Sequence, residues 1–283
     1  MMETLLLNPN PPKLRIRRIF QEAVAFSWGL RQKLWKWIVI GALLAGLPDF
    51  LGLFEDINVE RGDEVGGGAG LSPAIIFILL CVSLIPSALI FVILAVYCHR
   101  SILKRAIDGE DYLRFVFTRR ERKFFSWSIA LFFLAALLTV PIMMVLLSLV
   151  FLTNELYPNS LWGSPFMVFG LPNLWIVPLY YVIGRWSLIF PALAVDCDTT
   201  LGWSWRQTKG NGWHMFILVG FLPGIAIIFG TYSSYVWATD FSVAINYFMS
   251  FLWFFLTPLE IALISIAFRE LTNWKLVRQA ELA

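Results

Sequence analysis

Six apolar runs, each long enough to cross a bilayer, dominate this chain of 283 residues. They cover residues 34–54, 71–97, 124–152, some part of 161–195, 213–233 and 241–268. A membrane span takes about 20 apolar residues. Inside hydrocarbon every backbone N–H and C=O must pair within the protein, so runs of this length fold as helices. The fourth block is too long for one straight span. It also contains Pro165, Pro172, Pro178 and Pro191, so part of it is expected to lie in the interface or to re-enter. Charged residues make up only 14% of the chain and mean hydropathy is +0.73. A soluble domain has roughly 25% charged residues, so an ordinary globular domain, a disordered chain and a nucleic-acid binder are all excluded. The fold class read from this is all-α and integral to the membrane. It has six transmembrane helices and amphipathic interfacial helices on the cytoplasmic face. The division is a cytoplasmic segment 1–33, a six-helix domain 34–268 and a cytoplasmic tail 269–283. No secretory signal is read at the start, where residues 1–12 lack a basic stretch.

Orientation follows from the basic residues. With six spans, 21 of the 22 Lys and Arg residues fall on one side, and only Arg61 falls on the other, among Glu55, Asp56, Glu60, Asp63 and Glu64. Lys and Arg concentrate in cytoplasmic loops, so both termini are expected in the cytoplasm. Trp28, Trp35, Trp37, Trp127, Trp203, Trp205, Trp213 and Trp274 fall near that boundary, and Trp162 and Trp237 near the opposite one. Amphipathic rings favour this depth.

The cytoplasmic stretches carry their own pattern. Ile16, Ile19, Phe20, Ala23 and Val24 recur at helical spacing between Arg15, Arg17, Arg18 and Glu22. This predicts an amphipathic helix on the inner leaflet. Ile102, Leu103, Ala106 and Ile107 repeat the pattern as far as Gly109. Arg119, Arg120, Arg122 and Lys123 then meet the third span at Phe124, as a topology determinant or as a contact for anionic headgroups. A faint echo of Ser27-Trp28 in Ser204-Trp205 and Ser126-Trp127 reads as three copies of an interfacial helix followed by a hairpin.

Charges inside spans are functional candidates by default. Glu260 precedes Arg269 by about 14 Å of helix, and Arg185 precedes Asp196 by about 16 Å. Similar depth and opposite sign predict a pair between spans four and six, as an inter-helix clamp or a relay. Each span also holds a proline, namely Pro48, Pro86, Pro141, Pro178, Pro223 and Pro258, and Gly220-x-x-x-Gly224 permits close helix approach.

The most distinctive local stretch is Arg185-Trp-Ser-Leu-Ile-Phe-Pro-Ala-Leu-Ala-Val-Asp196. It is followed by Ser204-Trp205-Arg-Gln-Thr208-Lys209-Gly210-Asn211-Gly-Trp213. Read physically, Asp198 or Thr199 caps a short helix, Gly210 or Asn211 ends it in a left-handed conformation, and Trp213 opens the next span. The stretch resembles a motif of bacterial inner-membrane proteins. These include the membrane domain fused to some glycerophosphodiester phosphodiesterases and many stand-alone six-span chains. The resemblance implies a bacterial inner-membrane location. It implies no phosphodiesterase activity, because the fused enzymes keep their chemistry in a separate soluble domain.

Catalytic signals are lacking. The two histidines, His99 and His214, have no metal-ligand spacing, and Cys81, Cys98 and Cys197 suggest no disulfide framework. No phosphate-binding glycine loop, nucleophile elbow or zinc-protease motif is present. The only set at headgroup depth from which a lipid-modifying enzyme could draw is His99, Asp196, Asp198 and His214. The expectation is therefore a non-enzymatic accessory, scaffolding or membrane-organising protein, with no cofactor, metal or nucleic acid. Its expected partners are lipids, including anionic headgroups, and a membrane protein. A transporter or lipid-handling protein with a mid-membrane polar site is the alternative.

Overall fold

A computed structural model describes residues 8, 11–50, 73–104, 117–156, 176–197, 199–220 and 242–272. Every regular element among them is helical. These are α1 (Ile16–Phe50), α2 (Pro73–Lys104), α3 (Arg119–Leu156), α4 (Ile176–Trp186), α5 (Ile189–Ala194), α6 (Leu201–Gln207), α7 (Gly212–Met215) and α8 (Ser242–Leu271). A π-helical turn, Phe216–Gly220, continues α7.

Four segments are long and apolar enough to cross a membrane: Phe77–Leu103, Arg119–Leu146, Val177–Ala194 and Phe248–Leu271. They correspond to the second, third, fourth and sixth predicted runs, shifted by a few residues. The fourth is broken at Ser187–Leu188, between α4 and α5. The first predicted run is helical to Phe50 but is not among the four. Its end, residues 51–54, lies outside the described residues. Residues 221–241, which hold the rest of the predicted fifth run, lie outside the described residues, as do 157–175, Asp198, Trp162, Trp237 and Trp274.

The predicted N-terminal interfacial helix is corrected. It is not a separate element, because α1 runs unbroken for 35 residues, about 52 Å, across the expected boundary at residue 33. Its predicted apolar stripe divides between the core and the outer surface. Ile19, Ala23, Leu30, Leu34, Ile38 and Ala42 are buried, with Ser27 among them, whereas Phe20 and Val24 are exposed. The stripe packs on α8, whose Ala262, Leu263, Ile266, Ala267 and Phe268 form the other side of the core. The second predicted interfacial helix fares similarly. Ile102 and Leu103 belong to α2 and are buried, and residues 105–116 lie outside the described residues.

The core thus rests on α1, α2 and α8. In α8, 61% of the apolar window is buried; in α3 the share is 11%. Its exposed Phe132, Phe133, Leu137 and Phe151 give α3 an apolar outer face, as lipid contact requires.

Candidate functional site: a polar knot at the basic end of the bundle

The distinctive stretch folds into a helix, a tight turn and a second helix. Thr200 is extended (φ −112°, ψ 161°) and its hydroxyl accepts from Trp203 N, capping α6. This corrects the expectation that Asp198 or Thr199 caps it; Thr199 is buried and its Oγ1 has no partner among the described residues. The turn that follows the helix closes at Gly210, whose φ of +77° suits the only residue type without a Cβ. Asn211 stays at φ −118°.

Around this turn Arg185, Ser204, Gln207 and Asn211 each hold another segment. Arg185 points back at α6. Its Nε donates to Thr208 Oγ1 at 3.1 Å, its Nη2 donates to the Trp205 carbonyl at 2.6 Å, and its guanidinium lies 3.7 Å from the Trp205 ring centroid. Ser204 donates to the Arg185 carbonyl at 2.6 Å, and Thr208 donates to the Ser204 carbonyl at 3.0 Å. Asn211 turns to the N-terminal segment, where its Oδ1 accepts from Leu14 N at 2.9 Å and its Nδ2 donates to the Pro12 carbonyl at 3.0 Å. Gln207 joins the N-terminal segment to the end of α8, accepting from Asn8 N at 3.2 Å and donating to the Leu271 carbonyl. Lys209 is exposed. Trp213, 61% exposed, sits 5.3 Å from the Tyr181 ring. Trp203, expected at the membrane boundary, is instead fully buried against Phe268.

The pair predicted between Arg185 and Glu260 does not form. Arg185 lies one residue before the end of α4, and the break that follows places it beside α6, where Thr208 and Trp205 satisfy it. Glu260 has an electrostatic neighbour in Tyr180 and forms no ion pair among the described residues. The charge that does cross between α1 and α8 is Arg269, whose Nη2 lies 2.6 Å from Glu22. Deeper along the same interface, Arg31 Nε donates to the Phe255 carbonyl at 2.9 Å and its guanidinium lies 4.2 Å from the Phe255 ring centroid. That carbonyl neighbours the one Pro258 deprives of its helical donor.

The basic cluster before the third span divides. Thr118 and Glu121 cap the start of α3, with Thr118 N donating to the Glu121 carboxylate at 3.0 Å and Arg120 N donating to the Thr118 hydroxyl at 3.3 Å. Arg120 is committed to Asp196, with Nε–Oδ1 at 2.7 Å and Nη2–Oδ2 at 2.6 Å. Arg100 joins them at 3.5 Å and also donates to the Ala194 carbonyl at 3.4 Å. Of the cluster proposed for anionic headgroups, Arg119 and Arg122 are exposed and Lys123 is half-buried.

Asp196 itself was not predicted as a hub. It has φ +65°, and its neighbours make the hydrogen bonds of a left-handed helix stop: Cys197 N to the Ala192 carbonyl at 2.9 Å, and Asp196 N to the Leu193 carbonyl at 3.1 Å. Glycine is the usual residue at such a position. A carboxylate there, held by two arginines, locks the end of α5 to α2 and α3. The signal in the sequence was an acidic residue directly after a buried apolar helix.

His99 and Ser265 meet inside the bundle, Nδ1 to Oγ at 2.7 Å. The serine hydroxyl donates to the Ile261 carbonyl at 2.7 Å, so the network assigns the shared proton to His99. A serine whose proton is bound to a backbone carbonyl is a helix clamp, not an activated nucleophile. Among the described residues no group of three His, Cys, Asp or Glu side chains is placed to hold a metal ion. No protein-family model, curated protein or solved structure matches the chain. The resemblance of the 185–213 stretch therefore stands on its residues alone.

Proposed function

We infer that this is a non-enzymatic, multi-pass protein of the bacterial inner membrane with an accessory or scaffolding role. The observation that carries this is the use made of its most chemically endowed stretch. Arg185, Ser204, Gln207, Thr208 and Asn211 spend their hydrogen-bonding groups on one another, on the N-terminal segment and on the end of α8. A site for turnover would need such groups converging on open space. The reading includes six spans with both termini cytoplasmic. In support, the basic ends of α1, α2, α3 and α8 gather at one end of the bundle, through Glu22–Arg269 and Arg100–Asp196–Arg120.

One observation favours a second reading, a transporter or lipid-handling protein. Glu260, within a span, has no ion-pair partner among the described residues, and intramembrane carboxyls mark ion and substrate paths. Extraction into native lipid discs followed by mass spectrometry separates the two. A stoichiometric protein partner is the expected result. A single enriched lipid or small amphiphile without a protein partner would replace the scaffold reading with the second one.

A further inference from the structure

At the start of α1, the extended segment before the helix and the end of α8 border an open cavity of about 540 Å³. Three cations, Lys13, Arg15 and Arg18, all of them exposed, line it together with the buried Leu14 and Ile19. None of the three forms an ion pair among the described residues. The one acidic wall, Glu270, is engaged by Arg269 at 3.8 Å. The segment is not free to collapse onto the cavity, because Asn211 pins Leu14 and Pro12 on the far side.

Backbone polarity points the same way. The first helical bond of α1 runs from Ile19 N to the Arg15 carbonyl at 3.1 Å. The amides of Ile16, Arg17 and Arg18 therefore precede any helical acceptor. The first turn holds no acidic residue to balance them. The lining carries three positive charges and one negative, a net excess of two before the helix dipole is added. In the sequence's other basic cluster Asp196 neutralises Arg120 and Glu121 closes the helix cap; among the described residues Lys13, Arg15 and Arg18 have no such carboxylate within ion-pair distance.

We propose that this cavity is a binding site for a phosphate-bearing group, held by Lys13, Arg15 and Arg18 at the N-terminal end of α1. The phosphate is that of a lipid headgroup or a free phosphate ion. The site does not depend on the accessory role inferred above. Only the lipid source depends on this end of the bundle lying at a headgroup layer.

The test uses the full chain in neutral detergent, titrated separately with phosphatidylglycerol, phosphatidylcholine and inorganic phosphate, reading the heat-unfolding midpoint by tryptophan fluorescence. Phosphatidylglycerol is expected to raise the midpoint where phosphatidylcholine does not. Removing a basic contact is worth about fivefold in affinity, so the triple variant Lys13→Gln/Arg15→Gln/Arg18→Gln should need about a hundredfold more ligand. Arg119→Gln/Arg122→Gln should leave the response unchanged. Should the triple variant fail to fold, Arg18→Gln alone is read, with about a fivefold loss expected. A response to inorganic phosphate as well as to the lipid supports the site and assigns it to free phosphate chemistry; a response to the lipid alone assigns it to a headgroup. An absent response, an equal response in the triple variant, or an equal loss in the Arg119/Arg122 variant overturns the proposal. The topology is judged separately by labelling cysteines introduced at positions 66 and 119 from either side, so a failure there cannot be mistaken for failure of the site.

Discussion

Replacing Asn211 by alanine removes both hydrogen bonds that hold the N-terminal segment, from Leu14 N and to the Pro12 carbonyl. A neutral hydrogen bond contributes about 1 kcal/mol, and a buried donor left unpaired costs about 1–3 kcal/mol. Leu14 is only 5% exposed, so its amide falls in the second class. The segment should therefore open more easily by about 2–3 kcal/mol. At 1.4 kcal/mol per tenfold, the open population rises about a hundredfold. Trypsin reads this directly, since Lys13 and Arg15 flank Leu14 and cleavage follows the open population when reclosing is fast. The assay measures the rate of cut at those two bonds in purified full-length protein. Asn211→Asp supplies the control: a carboxylate still accepts from Leu14 N but cannot donate to Pro12, so about tenfold is expected. Cleavage of the alanine variant at the wild-type rate would refute the pinning role. So would equal rates for the two variants, because the two bonds would then not act separately. Faster cutting at Arg185 and Arg206 as well would show general unfolding instead of local release.

Two other positions give equally direct tests. At Asp196, alanine and glycine both lose the arginines, but alanine at φ +65° keeps a left-handed cost of about 1–2 kcal/mol that glycine lacks. Asp196→Gly should therefore unfold about 2–4 °C above Asp196→Ala for each kcal/mol of that difference, and equal midpoints would refute the left-handed stop. At Gly212, an added Cβ would lie 2.5 Å from the Tyr181 Oη and 2.9 Å from its Cζ. Gly212→Ala should destabilise by about 1–3 kcal/mol, the loss being largely restored by Tyr181→Leu in the heat-unfolding midpoint; an unaltered single variant would show that the α4–α7 contact is looser than drawn.

Much of this architecture is legible from hydropathy alone, because a 20-residue apolar run has few alternatives in a membrane. Runs 71–97, 124–152 and 241–268 all emerged as apolar helices. The turn at Gly210 was legible for a similar reason, since a glycine after a short helix has a strong local preference. Partner choice was not legible. Glu22, Arg31 and Arg269 looked like ordinary charges, and only the packing of α1 on α8 brings Glu22 to Arg269 and Arg31 to Phe255. Arg185 and Glu260 matched in estimated depth, but depth along a helix says nothing of the direction a side chain faces. The unbroken α1 was missed because charge density suggested a boundary near residue 33, whereas a helix needs a breaker to end, and none stands there.

The same physics explains why so conspicuous a motif need not carry turnover. Apolar helix faces have little hydrophobic reason to choose one another over lipid, so membrane helices find their register through packing detail and a few polar links. In this bundle most of those links gather at one end, with Arg31–Phe255 lying deeper. Glu22–Arg269 and Arg31–Phe255 fix α1 along α8, Gln207 ties α6 to the last carbonyl of α8, and Asn211 returns the chain start to the same turn. A slide of one helical turn between α1 and α8 would break the first two links, and the Gln207 link would be strained unless α6 moved as well. Residues bound into such a register device are constrained as tightly as catalytic ones. What distinguishes them is direction: their polar atoms point at the protein's own backbone. The cations at the head of α1 differ, since Lys13, Arg15 and Arg18 line an open cavity and form no ion pair among the described residues.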